Sequence, residues 1–75
     1  MRNLWISKNI PAPNDMDYRS STNWHEATIK ICQMYKPDGT YNIKHVYIDK
    51  NIEYANGLVK YCLERNLPCS YIQGE

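Results

Sequence analysis

β-Branched and aromatic side chains concentrate in two runs, residues 28–35 and 41–48, and Lys36-Pro37-Asp38-Gly39-Thr40 lies between them. Such side chains suit a pleated surface, and the intervening Pro, Asp and Gly carry turn chemistry, so the pattern predicts a β-hairpin from His25 to Asp49. A two-residue type I′ loop would require a backbone N–H at Pro37, which proline lacks. A type I turn with Pro37 in second position and Gly39 as a left-handed bulge residue satisfies every residue there and sets Lys36 opposite Thr40.

That register assigns Ala27, Ile29, Ile31, Tyr35, Tyr41, Ile43, His45 and Tyr47 to one face. Cys32, Met34, Val46 and Ile48 fall on the other, among Thr28, Lys30 and Lys44. Both faces are partly apolar. One helix covers only one of them, so the second calls for the N-terminal part of the chain or another molecule. A competing reading exists for the first run. Asn23-Trp24-His25-Glu26 also fits a helix cap, with Trp24, Ala27, Ile31 and Met34 or Tyr35 on one helical face and Pro37 as the stop. The branched Thr28, Ile29 and Ile31 and the otherwise idle turn residues favour the strand.

Elsewhere the pattern predicts a short strand over residues 3–7, with Leu4 and Ile6 on one side and Trp5 on the other. A long loop follows over 8–23, dense in Pro, Asn, Asp and Ser. Ile52, Ala55, Leu58, Val59, Cys62 and Leu63 form a helical stripe within residues 49–66. Asn51 is placed to cap that helix, Glu53 sits in its first turn, Gly57 marks a close approach to the sheet, and Asn66 takes the left-handed exit before Leu67-Pro68. Residues 69–73 read as a last strand, reached by a right-handed crossover and parallel to the strand before the helix or to a neighbour of it. The expected fold is α+β, a small mostly antiparallel sheet (β-β-β-α-β) with a central hairpin and one amphipathic helix on one face.

At 75 residues the chain is one domain, 1–75, of a size at which only about 60% of the unfolded surface is buried. Self-association as a homodimer is therefore expected. Formal net charge is +1, with five basic and three acidic groups in residues 1–37 and four and five in 38–75. This spread excludes an acidic nucleic-acid mimic and lacks the basic footprint of a duplex binder. Cys32, Cys62 and Cys69 are odd in number and follow no framework spacing, so free thiols in a reducing cytoplasm are expected. No apolar run reaches the length of a membrane span or a signal peptide, and no membrane association is expected.

Few residues carry candidate chemistry. Asp15, Asp17, His25 and Glu26 offer ligand types without motif spacing, so a metal-dependent enzyme built on Asp15, Asp17 and His25 ranks third among the readings. Cys32 and His45, with Cys62 and Cys69 near the helix end, lack the paired spacing of a zinc site. Gly39, Gly57 and Gly74 lie too far apart for a phosphate loop. No enzyme, metal or cofactor is expected. The leading expectation is a small cytoplasmic protein that modulates or inhibits a larger protein partner, of the kind a phage carries against a host defence. Its expected contacts are Met34, Val46 and Ile48 on the second sheet face, or Tyr35 and Tyr41 at the hairpin tip, joined by Met16, Tyr18 and Arg19 of the loop. The alternative is an RNA or single-stranded nucleic-acid binder that stacks bases on Tyr35, Tyr41 and Tyr47 beside Lys36 and Lys44.

Overall fold

The structure is a computed structural model and is described here for residues 1–73. It contains β1 (Arg2–Ser7), β2 (Asp17–Ser20), α1 (Trp24–Cys32), β3 (Ile43–Ile48), α2 (Ala55–Glu64) and β4 (Cys69–Tyr71). The strands form one sheet in the order β2-β1-β3-β4, and every pairing is parallel. This overturns the expected antiparallel sheet and the β-β-β-α-β order. The mixture of helix and sheet stands, as does the parallel setting of the last strand beside β3.

The central error lies at residues 24–32, which are helix. Asn23 is extended and accepts the Glu26 N–H on its side chain at 2.9 Å, while Glu26 reaches back to the Thr22 N–H at 2.9 Å and to its hydroxyl at 3.1 Å. Two otherwise orphaned donors are thereby satisfied. Ala27 and Ile31, one turn apart, are fully buried, whereas Ile29 is 45% exposed. A strand would put Ile29 and Ile31 on the same side. Burial of the i, i+4 stripe outweighs the few tenths of a kcal/mol by which branched residues disfavour helix.

The turn after it forms locally as expected. Lys36 N donates to Thr40 O at 2.7 Å, Gly39 N donates to Lys36 O at 3.1 Å, and Gly39 has φ +91°. The hairpin is nonetheless reduced to a single antiparallel bridge, Tyr35 to Tyr41, because the chain before it has already turned helical. The predicted loop over 8–23 contains β2, which pairs with β1 from Leu4 opposite Asp17 to Ser7 opposite Ser20. The second helix is shorter than the expected 49–66. Tyr54, at φ 65° and ψ 41°, precedes it without a side-chain cap bond, and Asn66 at φ 60° makes the left-handed exit. Leu63 of the predicted stripe is 60% exposed.

Both helices lie on one side of the sheet. Leu4, Ile6, Val46 and Ile48 share one buried cluster with Ala27 and Ile31 of α1 and with Leu58 and Cys62 of α2. Successive residues of a strand point to opposite faces, so Trp5, His45 and Tyr47 look the other way. The β1–β2 connection runs on that second side, where Trp5 Nε1 donates to Ile10 O at 3.0 Å. It steps outward from β1 in the direction opposite to the two helical crossovers, so all three connections share one hand, as parallel connections do.

Candidate interaction face

The face without helices is the most unusual surface of the molecule. All-parallel sheets almost always have both faces covered, because each crossover helix lands on one of them. Among the described residues, the cover on the second face is the segment after β1. Its anchors are Ser7 Oγ, which donates to Ile10 O at 2.9 Å and accepts from Ile10 N at 3.1 Å, and the Tyr18 hydroxyl, which donates to Lys8 O at 3.4 Å.

The strand register builds a row across this face. Trp5 stands opposite Tyr18 on one side and Tyr47 on the other, and Tyr47 stands opposite Ser70. One step toward the amino ends, Asn3 is opposite His45. Ring centroids of Trp5 and Tyr47 are 5.9 Å apart and those of His45 and Tyr47 are 4.5 Å apart. His45 Nε2 and Ser70 Oγ share a hydrogen bond of 2.8 Å. Trp5, His45 and Tyr47 are half-buried, and Tyr18 is 38% exposed. The result is a platform of rings with polar tips. On the helix side of the same sheet edge, where Asp17 stands opposite Leu4, Arg2 grips Asp17 with two bonds, 2.5 and 2.6 Å, and the guanidinium holds the Asp17 carboxyl below its ordinary range.

The carboxyl ends of the strands behave differently. Strand order reverses at β1, and in open parallel sheets the crevice between the two central strands at that point is the usual ligand site. Here it is filled from within. Asp49, 1% exposed just after β3, accepts Lys8 N at 3.1 Å and Asn51 N at 2.9 Å on its two carboxylate oxygens, and its own N–H donates to Ile6 O at 2.9 Å. To one side lies an open groove of about 390 Å³ lined by Asn23, Trp24, His25, Glu53 and Tyr54. Ser21 Oγ and Trp24 Nε1 nearby are buried without a protein partner. The starts of two helices favour an anion here, but the Glu53 side chain lines the same groove, so charge does not converge on one ligand.

At the opposite, amino end of the sheet, Tyr35, Gly39, Thr40, Tyr41, Arg65, Asn66 and Leu67 surround an open depression of about 490 Å³. Tyr35 and Tyr41 meet edge to face at 4.9 Å, and the Arg65 guanidinium lies 3.6 Å from the centre of the Tyr61 ring. The Tyr61 hydroxyl touches Cys32 Sγ at 3.0 Å, and burial together with that thiol pushes its pKa up to about 12. Burial likewise pushes the Cys62 thiol up to about 12, so it stays protonated inside the core.

The expected site residues are therefore dispersed. Val46 and Ile48 are fully buried under the helices, and Met34 packs against the same cluster, so the predicted second sheet face is core. The hairpin register instead assigns both strand residues to the face that one helix leaves uncovered. Tyr35 and Tyr41 stay together but at the amino-end depression, where Lys36 lies 3.8 Å from Asp38. Tyr47 is separated from them and joins Tyr18 on the helix-free face. Lys44 is exposed at the irregular step between β1 and β3. Arg19 stands opposite Ile6 on the helix side of the sheet, with Met16 just before β2. Asp15, Asp17 and His25 form no ligand cluster, and among the described residues no group of three or more acidic, His or Cys side chains is placed to hold a metal. Trp5 and His45 are the residues that sequence reasoning missed. Their signal was present in the alternation: Trp5 against Leu4 and Ile6, and His45 and Tyr47 against Val46 and Ile48. Among the described residues no helix is long and apolar enough to cross a membrane. Comparison with known protein families, with curated proteins and with solved structures finds no match.

Proposed function

We propose that this chain is a small non-enzymatic binding protein that docks a larger protein partner on the helix-free face of its sheet. The observation that carries the reading is the in-register row Tyr18, Trp5, Tyr47 and Ser70, half open to solvent on a type of sheet that is otherwise covered on both sides. Trp and Tyr are the side chains that concentrate binding energy at protein interfaces, since they bring large area with few rotatable bonds. Charge gives a nucleic acid little support: the formal net charge is only +1, and among the described residues Arg2 pairs with Asp17 and Lys36 lies beside Asp38. The internal filling of the switch-point crevice by Asp49 supports a binding role over an enzymatic one. A cytoplasmic setting belongs to the same proposal, on the strength of three free cysteines. A modulating role against a host protein is proposed on small size alone.

A photo-crosslinking residue at position 47, compared with one at Lys60 on the exposed side of α2, tests the reading. Crosslinks that form from position 47 and not from 60, and that Trp5→Ala or His45→Ala suppresses, support it. Equal crosslinking from both positions refutes it. A crosslinked species of twice the chain mass would identify the occupant as a second copy and replace the larger partner in the proposal.

A further inference from the structure

We infer that a second copy of this chain docks on the β4 edge of the sheet, pairing β4 with β4 and α2 with α2 about a two-fold axis. A sheet edge displays backbone N–H and C=O groups that a further strand can take up, and the two edges here treat those groups differently. Ser21 N donates to Ser7 O at 3.0 Å, so Arg19 and Ser21 turn their backbone groups toward β1, while Tyr18 and Ser20 turn theirs outward. Both outward carbonyls are already taken by side chains. Arg19 Nη1 donates to Tyr18 O at 3.0 Å, and Lys30 Nζ, reaching from α1, donates to Ser20 O at 2.7 Å. Basic side chains laid on an edge in this way close it to an incoming strand.

The β4 edge is open. Val46 N donates to Pro68 O at 2.9 Å and Ile72 N donates to Ile48 O at 2.8 Å, so Pro68, Ser70 and Ile72 face β3 and the backbone groups of Cys69 and Tyr71 point outward. Among the described residues no side chain bonds to those outward groups. Antiparallel pairing centred on Ser70 sets Cys69 opposite the second copy's Tyr71 and the reverse, and in each such pair the residues exchange both their N–H···O bonds. The edge is thus complementary to itself, as a two-fold interface requires.

The second helix supplies the apolar part of the same surface. On one flank Tyr61 faces α1, its hydroxyl 3.0 Å from Cys32 Sγ and its ring 6.5 Å from that of Trp24. Val59 and Leu63, one turn apart, lie on the opposite flank, which looks out past β4 because α1 sits toward β2. Cys69 Sγ donates to Val59 O at 3.9 Å, joining this flank to the edge strand. Leu63 is 60% exposed although it continues the apolar stripe of the helix. A second copy seated on β4 covers it with its own α2. The two-fold also sets both helix-free faces on one side of a continuous sheet, so the docking face proposed above is doubled and not blocked, and the inference is independent of what occupies it.

The test is sedimentation equilibrium of the whole chain under reducing conditions, which keep the exposed Cys32 from linking copies. Twice the chain mass is expected, with a dissociation constant of about 100 μM or tighter. Leu63→Asp, at an exposed position that leaves the core intact, is expected to weaken association about tenfold or more. Ile29→Asp, at the exposed apolar position of α1, serves as the second variant and is expected to leave association unchanged. In a mixture of differently isotope-labelled copies, a cross-chain NMR contact is expected between the two Ser70 α-protons, since residues directly opposite in a non-hydrogen-bonded pair have Cα atoms about 4.5 Å apart. A monomer mass at about 1 mM, equal effects of the two substitutions, or a dimer without the Ser70 contact overturns the inference.

Discussion

Asp49→Asn tests the internal plug at the switch point most directly. The carboxylate accepts two backbone N–H groups, those of Lys8 and Asn51, which ties the segment after β1 to the turn after β3. An amide retains one acceptor oxygen, so one N–H keeps its partner while the other faces an NH₂ donor. A hydrogen bond to a charged acceptor contributes about 1.5–3 kcal/mol, which puts the loss at about 2 kcal/mol. A chain of 75 residues is stable by about 4–11 kcal/mol at the usual 0.05–0.15 per residue, so the loss is a large share. With a urea m-value of about 1 kcal/mol/M for a protein of this size, the midpoint is expected to fall by about 2 M at unchanged m. The assay is equilibrium urea unfolding followed by tryptophan fluorescence. Asp49→Ala, which abandons both amides, is expected to cost about 3–5 kcal/mol and to leave the chain partly unfolded near room temperature. A midpoint within about 0.3 M of the parent for Asp49→Asn would refute the reasoning. It would mean that water satisfies these amides, or that relief from burying a charge offsets the lost bond.

Two further outcomes are expected. Ile31→Ala should cost about 2–5 kcal/mol as a core truncation, while Ile29→Ala should stay within about 0.5 kcal/mol; similar losses at both positions in urea unfolding would restore the strand for residues 28–35. The Asp17 carboxyl carbon, followed by NMR through acid, should titrate below the unfolded value of about 3.9, and Arg2→Ala should return it there. Because the folded value is the lower one, the stabilisation from this pair is present above the unfolded value and fades as pH falls through the folded one. Parent and Arg2→Ala should therefore converge in stability at the acid end, and a difference that persists unchanged there would refute the pairing.

Much of the local structure was legible in the residues alone. The β1 strand, the capping pattern of Asn23 and Glu26, the Gly39 turn, the Asn66 exit and the strand at 43–48 all follow from chemistry within a few positions of each residue. Alternation also placed Trp5 opposite in direction to Leu4 and Ile6. Two things were decided only by tertiary structure. One is the state of residues 24–32, where strand propensity and a helical stripe compete and the local residues favour the strand, which the structure overturns. Burying Ala27 and Ile31 against Leu4, Ile6 and α2 settled it, and those partners are distant in sequence. The other is strand pairing. A hairpin needs only a turn, so local signals suggest antiparallel neighbours, whereas β1 finds β2 and β3 through crossovers that no local pattern announces. The candidate face depended on both: Tyr18, Trp5, Tyr47 and Ser70 come from four separate strands, and only the parallel register brings them into one row.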